Sequence, residues 1–183
     1  MIDPAASARP AASRPAAARP DASRIAAARA ATGLPAPGDL SRWLTGEWTI
    51  ARAINGNAGR FEGRARFTPD PREPDVLLWH ERGRLRLGAH DGPAERTLRI
   101  APAAGGAWEV RFADGRPFHR LDLRSGICEA THRCGADFYH ARYAVEGGDR
   151  FTVTWRITGP HKHDLIESSY SRVPADRPLL GVS

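Results

Sequence analysis

Two stretches of this chain concentrate side chains able to do chemistry: Asp114-Gly-Arg116-Pro-Phe-His119, and His132-x-Cys134-x-x-Asp137-x-Tyr139. An imidazole on an otherwise apolar strand, as at His119, titrates near neutrality and can donate, accept or ligate. His132 and Cys134 lie two apart and so share one face of a strand. With His119 on a neighbouring strand they make a candidate for the three-ligand zinc site that leaves a coordination position open, although no fourth ligand or paired spacing accompanies them. Tyr139 beside a His or Glu suits acid–base chemistry when an Arg steadies its anion. Cys134 is a nucleophile only where a neighbouring cation lowers its pKa, and otherwise a small hydrophobe. Haem needs one axial imidazole, for which His119, His132 and His140 are candidates, but the sequence has no c-type attachment motif.

These residues must be held by strands. Asp39-Leu-Ser-Arg-Trp43-Leu44 reads as an Asp-capped helical turn leading into the alternating strand Gly46-Glu-Trp48-Thr-Ile-Ala-Arg52-Ala-Ile54. From there the pattern is strand, turn, strand, over roughly 47–55, 59–68, 75–82, 84–90, 96–101, 107–113, 116–124, 128–134, 137–146, 150–158 and 162–172. Turns are expected at Asn55-Gly56, Asp70-Pro71, Asp91-Gly92-Pro93, Gly105-Gly106, Asp114-Gly115, Ser125-Gly126, Gly135, Gly147-Gly148 and Gly159-Pro160. A meander of eight to eleven strands must stack as a sandwich or close on itself, and sequential hairpins favour an all-β, antiparallel up-and-down barrel.

Taking each strand's apolar members as its inward set carries certain polar residues inside with them. Arg52 goes with Trp48 and Ile54, His119 with Leu121 and Leu123, His132 and Cys134 with Ala130, and Tyr139 with Tyr143. Glu81 follows if Leu77 and Trp79 point inward, but Val76 and Leu78 on the opposite parity leave that strand ambiguous. Buried polar groups of this kind need partners, so they either satisfy one another or await a polar ligand. Asp114-Gly115 reads first as a turn, with Arg116 placed to grip an anion at the barrel mouth. Gly159-Pro160-His161-Lys162-His163 reads as a turn in which Lys162 gates the entrance or pairs with Asp164.

Composition bounds the rest. Of 27 basic residues only Lys162 is a lysine, a bias that fits a GC-rich coding sequence better than selection for a polyanion, so nucleic acid is not expected as a partner. Residues 1–36 form an Ala/Arg/Pro-rich head in which Arg9, Arg14, Arg19, Arg24 and Arg29 recur every five residues. That period matches neither helix nor strand, and a disordered tail is expected. The barrel domain is expected over 37–174, with a tail at 175–183. Cys128 and Cys134 lie too far apart on one extended strand to be joined, which implies a reducing compartment. No apolar run is long enough to span a bilayer and no secretory h-region opens the chain, so the expectation is a cytoplasmic protein without a membrane partner, monomeric or homodimeric.

A helical turn followed by Gly46-x-Trp48 resembles the opening of the lipocalin and fatty-acid-binding superfamily, the calycins. That resemblance implies a Trp closing one barrel end beneath a terminal Arg, here Arg172. A closer resemblance runs through Trp48…Arg52-x-Ile54, Phe61-x-Gly63, Glu81-x-Gly83, Phe112-x-Asp114-Gly-Arg116-x-Phe118-His119, His132-x-Cys134-x-x-Asp137-x-Tyr139 and Trp155-x-Ile157-x-Gly159-Pro160-x-Lys162. These look like an uncharacterised family, domain of unknown function 6314, which implies a calycin-like barrel and supplies no activity. The expected function is binding of a small polar or amphipathic, anionic molecule inside the barrel, in a pocket of about 300 Å³ or more. Arg52, Glu81, Arg116, His119, His132, Cys134, Tyr139 and Lys162 are the candidate ligand residues. Alternatives are a lyase or isomerase using the His and Tyr side chains, a haem- or metal-binding barrel, and an interaction module working through the Arg-rich head.

Overall fold

The computed structural model describes residues 40–56 and 58–174. The expected head at 1–36 and the tail at 175–183 lie outside them. Helix α1 (Leu40–Leu44) precedes ten antiparallel strands: β1 (Gly46–Ile54), β2 (Gly59–Pro69), β3 (Leu77–Leu87), β4 (His90–Pro102), β5 (Trp108–Phe112), β6 (Pro117–Leu121), β7 (Ile127–Cys134), β8 (Asp137–Val145), β9 (Arg150–Gly159) and β10 (Lys162–Arg172). Their order in one sheet is β6-β5-β4-β3-β2-β1-β10-β9-β8-β7. β1 pairs with β10, Trp48 opposite Arg172, so the meander curls round into a barrel left open at the β6–β7 seam, where no ladder forms among the described residues.

Eleven expected strands are ten because the break anticipated near Gly83 does not occur. β3 runs through it, and the turn falls at Gly88, whose φ of 58° a glycine adopts without strain. Asp91-Gly92-Pro93, expected as a turn, lies inside β4. Proline is tolerated there because β5 pairs only with Leu98–Pro102, which leaves the His90–Thr97 stretch of β4 an edge among the described residues.

The alternation holds strand by strand. Trp48, Ile50, Phe61, Phe67, Val110, Leu121, Leu123, Phe151, Val153, Trp155 and Ile157 are all buried. β3 resolves in favour of Leu77 and Trp79 inward, and Glu81 follows them. The end of the barrel beneath α1 is packed solid with rings: Trp43, Trp48, Phe67, Trp79, Phe151 and Tyr170 interlock, Phe151 and Tyr170 stacking at 4.3 Å between centroids. Arg172 lies 4.2 Å from the Trp48 ring centre and donates to the Thr45 and Trp43 carbonyls, while the Trp48 indole donates to the Leu44 carbonyl at 2.8 Å. The terminal Arg thus fastens helix, first strand and last strand together, as the calycin resemblance implies.

Candidate functional site

Above that floor the interior becomes polar. Glu81 Oε1 accepts hydrogen bonds from the Tyr170 hydroxyl (2.6 Å) and Arg96 Nη2 (3.0 Å), and Oε2 accepts from Arg96 Nε and Arg52 Nη2, both at 2.8 Å. Arg52 Nε also donates to Ser168 Oγ at 2.8 Å. Three side chains, from β1, β4 and β10, therefore meet on one carboxylate of β3 that is 1% exposed. Burial alone would raise its pKa, but Arg96 and Arg52 overcome that and hold it below the usual carboxylate range. Two guanidiniums against one carboxylate leave the cluster with a net charge of +1. Tyr170 stays a phenol, raised by burial and by Glu81's charge.

The cluster forms one wall of an interior cavity of about 200 Å³, whose apolar lining includes Ile54, Phe61, Leu85, Trp155 and Ile166. The cavity is smaller than the 300 Å³ expected, because Arg52 and Glu81 pair with one another and fill part of the lumen. Arg52 keeps 14% of its side chain exposed and Arg96 39%, and both line the cavity.

Across the barrel, His119 is buried and its Nε2 lies 2.8 Å from the Tyr143 hydroxyl. Burial, followed by repulsion from His132 and Arg96, lowers its pKa to about 4. Tyr143 stays protonated, burial pushing its pKa well up. Letting Tyr143 O–H donate to Nε2 leaves only one polar hydrogen over, on Nδ1, whereas the other tautomer strands both the hydroxyl hydrogen and Nδ1. Nδ1 has no partner among the described residues, and neither does the Trp79 indole N–H.

His132 is half-buried, edge-on to Phe118 at 4.9 Å and 6.1 Å from Tyr139. The remaining candidates stand apart. Arg116 is 76% exposed and pairs with Asp114 within its own turn, not at the cavity. Cys134 has inward parity but lies exposed at the end of β7. Lys162 is exposed and pairs with Asp137 at 2.6 Å, not with Asp164, and its Nζ lies 3.4 Å from the Tyr139 hydroxyl. Among the described residues no three His, Cys, Asp or Glu side chains gather closely enough to hold a metal ion, so His119, His132 and Cys134 do not form the three-ligand cluster. Cys128 and Cys134 are both free thiols. No helix among the described residues is long and apolar enough to cross a membrane.

Sequence reasoning missed Arg96, Ser168 and the role of Tyr170. Arg96 opens the expected strand 96–101 on the parity of Leu98 and Ile100, both buried, and was legible on that ground. Tyr170 shares parity with Arg172 and was legible on that ground.

Residues 44–172 match the model described as Family of unknown function (DUF6314). None of the curated proteins matches the sequence. Among solved structures, the S-type phycobiliprotein lyase CPES from Guillardia theta superposes with a TM-score of 0.58 at 10% identity, covering 85% of this chain and 99% of that one. A de novo designed fluorescence-activating β-barrel matches at TM-score 0.44 and 13% identity, over 74% of this chain and 98% of the design. A redesigned barrel bound to DFHBI matches at 0.41 and 12%, over 72% and 97%. At these identities the likeness is one of fold.

Proposed function

This chain belongs to the family of unknown function DUF6314, whose matched span is the barrel itself, and we propose that the barrel binds a small amphipathic monoanion in its interior. The observation that carries this is the arginine pair. Arg52 and Arg96 together satisfy Glu81, whose two oxygens already accept four donors, and the surplus positive charge faces a cavity lined otherwise by apolar residues and by Glu95, which is itself exposed to solvent. A carboxylate bridging the two guanidiniums would neutralise that charge and accept charge-assisted hydrogen bonds. Its apolar portion would lie against Phe61, Leu85 and Ile166. A cavity of about 200 Å³ favours a ligand below drug size.

Calorimetric titration with a panel of short-chain carboxylates tests the reading. At least one acid binds one-to-one, and Arg96→Gln, with an unchanged circular dichroism spectrum, weakens it by about tenfold or more, the usual worth of a charged hydrogen bond. Equal binding by the variant, or preference for amines over acids, contradicts it.

A further inference from the structure

The barrel's two ends treat their aromatic rings differently. Beneath α1, Trp48, Phe67, Trp79, Phe151 and Tyr170 are between 0% and 3% exposed, which is ordinary core. At the opposite end a second group faces the lumen: Phe112, Phe118, His132, Tyr139 and Trp155. Phe118 stacks on Trp155 at 5.1 Å with planes 10° apart and lies 4.6 Å from Phe112, while Tyr139 stands 6.4 Å from Trp155. Of these only Trp155 is buried, and the other four keep part of their surface open.

The openness follows from the strands. β5 and β6 are five residues each, whereas β4 has thirteen and β7 eight, so their hairpin stops short of the barrel rim. Among the described residues no strand pairs with β4 over His90–Thr97 on that side or with β7 on the side facing β6. Two strands absent between β4 and β7 leave a notch of roughly 14 Å at the normal strand spacing. Ala94 and Arg96 border it from β4 and His132 from β7. Trp155 joins the parts, because it lines the arginine cavity and touches Phe118, His119 and Tyr139.

Resting on the anion-site reading above, we propose that the ligand is a planar aromatic carboxylate that enters through this notch. Its carboxylate reaches Arg52 and Arg96, and its ring system lies against the partly exposed Phe118 and His132, beside Phe112 and Tyr139, whose rings carry Arg116 at 5.4 Å and Lys162 at 5.9 Å. Rigid rings gain offset and edge-to-face contacts here that a flexible alkyl chain does not. A planar body also extends out of the notch, which reconciles a cavity of about 200 Å³ with a larger ligand. His119 Nδ1, set within the same ring cluster, is the donor left for an acceptor carried on the ring or a bridging water.

The test compares 2-naphthoate with octanoate, both singly charged, on the full chain, followed by calorimetry and by the ring-current shifts of ligand protons. Naphthoate binds about tenfold more tightly than octanoate, the worth of one or two aromatic contacts. Phe118→Ala removes that advantage and the upfield shifts while leaving octanoate unchanged. Because Phe118 also packs on Trp155, His132→Ala is run beside it, with the same expectation and less risk to the fold. Arg96→Gln weakens both acids. Octanoate binding as tightly as naphthoate, or folded variants that weaken the two equally, overturns the aromatic subsite and leaves the anion site standing. Failure of both acids removes the anion site, and this inference falls with it.

Discussion

Glu81 is the residue on which the interior depends, since among the described residues it alone pairs with both Arg52 and Arg96. Glu81→Gln leaves two half-buried guanidiniums facing one another without an anion, and denaturant unfolding is expected to register a loss of about 3–5 kcal/mol. An unchanged midpoint would mean that solvent or a ligand, and not Glu81, neutralises the pair. His119 carries a separate signature. Its pKa falls from 6.5 to about 4 on folding, so between those values the unfolded chain binds a proton that the folded chain refuses. Stability therefore declines as pH drops through that window, by on the order of 2–3 kcal/mol from this one group. His119→Phe should flatten the slope, and parallel stability-versus-pH curves for the two proteins would refute the assignment. Parity along each strand made Arg52, His119, His132 and Tyr139 legible in the sequence. It could not show that Arg116 turns back onto Asp114, because in the connection between Phe112 and Pro117 the side chain's direction is set by the local hydrogen bond and not by alternation.

At the scale of elements, β2 and β3 cross with glycine opposite glycine. Gly63 pairs with Gly83, and a Cβ added at either would stand 2.2 Å from a backbone oxygen of the other strand. The two backbones approach more closely there than any side chain allows, next to the strand position that carries Glu81. Gly83→Val must push the strands apart, with a loss of about 4 kcal/mol or more, readable as a protein that fails to fold or melts far earlier. A valine variant of normal stability would show that the approach is relaxed in solution. Turn residues located most of the hairpins, since Asn-Gly and Asp-Gly pairs state their geometry locally. The β3–β4 turn escaped because Asp91-Gly92-Pro93 carries the stronger turn chemistry, yet register with β3, from Leu77↔Ile100 to Leu87↔His90, places it inside the strand from the second residue on.

In the whole molecule, one end is closed and the other open. Arg172 spans the closed end, its guanidinium on Trp48 and its donors on the carbonyls of Trp43 in α1 and Thr45 just after it. Arg172→Ala is expected to cost about 2–3 kcal/mol from the lost cation–π contact and hydrogen bonds, with binding at the far end retained. If instead ligand affinity collapsed in step with stability, the ends would not be independent. Sequence pattern carried the barrel, whose first and last strands are joined by the terminal Arg that the calycin resemblance implies. It did not carry the size of the cavity, because that depends on Arg52, Arg96 and Glu81 meeting across four strands, a coincidence of registers that no single strand records. The most direct measurement of the central claim is native mass spectrometry of the full chain purified from its own host. The account predicts a one-to-one adduct of a small acid that is retained in Arg172→Ala and lost in Arg96→Gln; a bare chain in every case, or an adduct indifferent to Arg96, would contradict it.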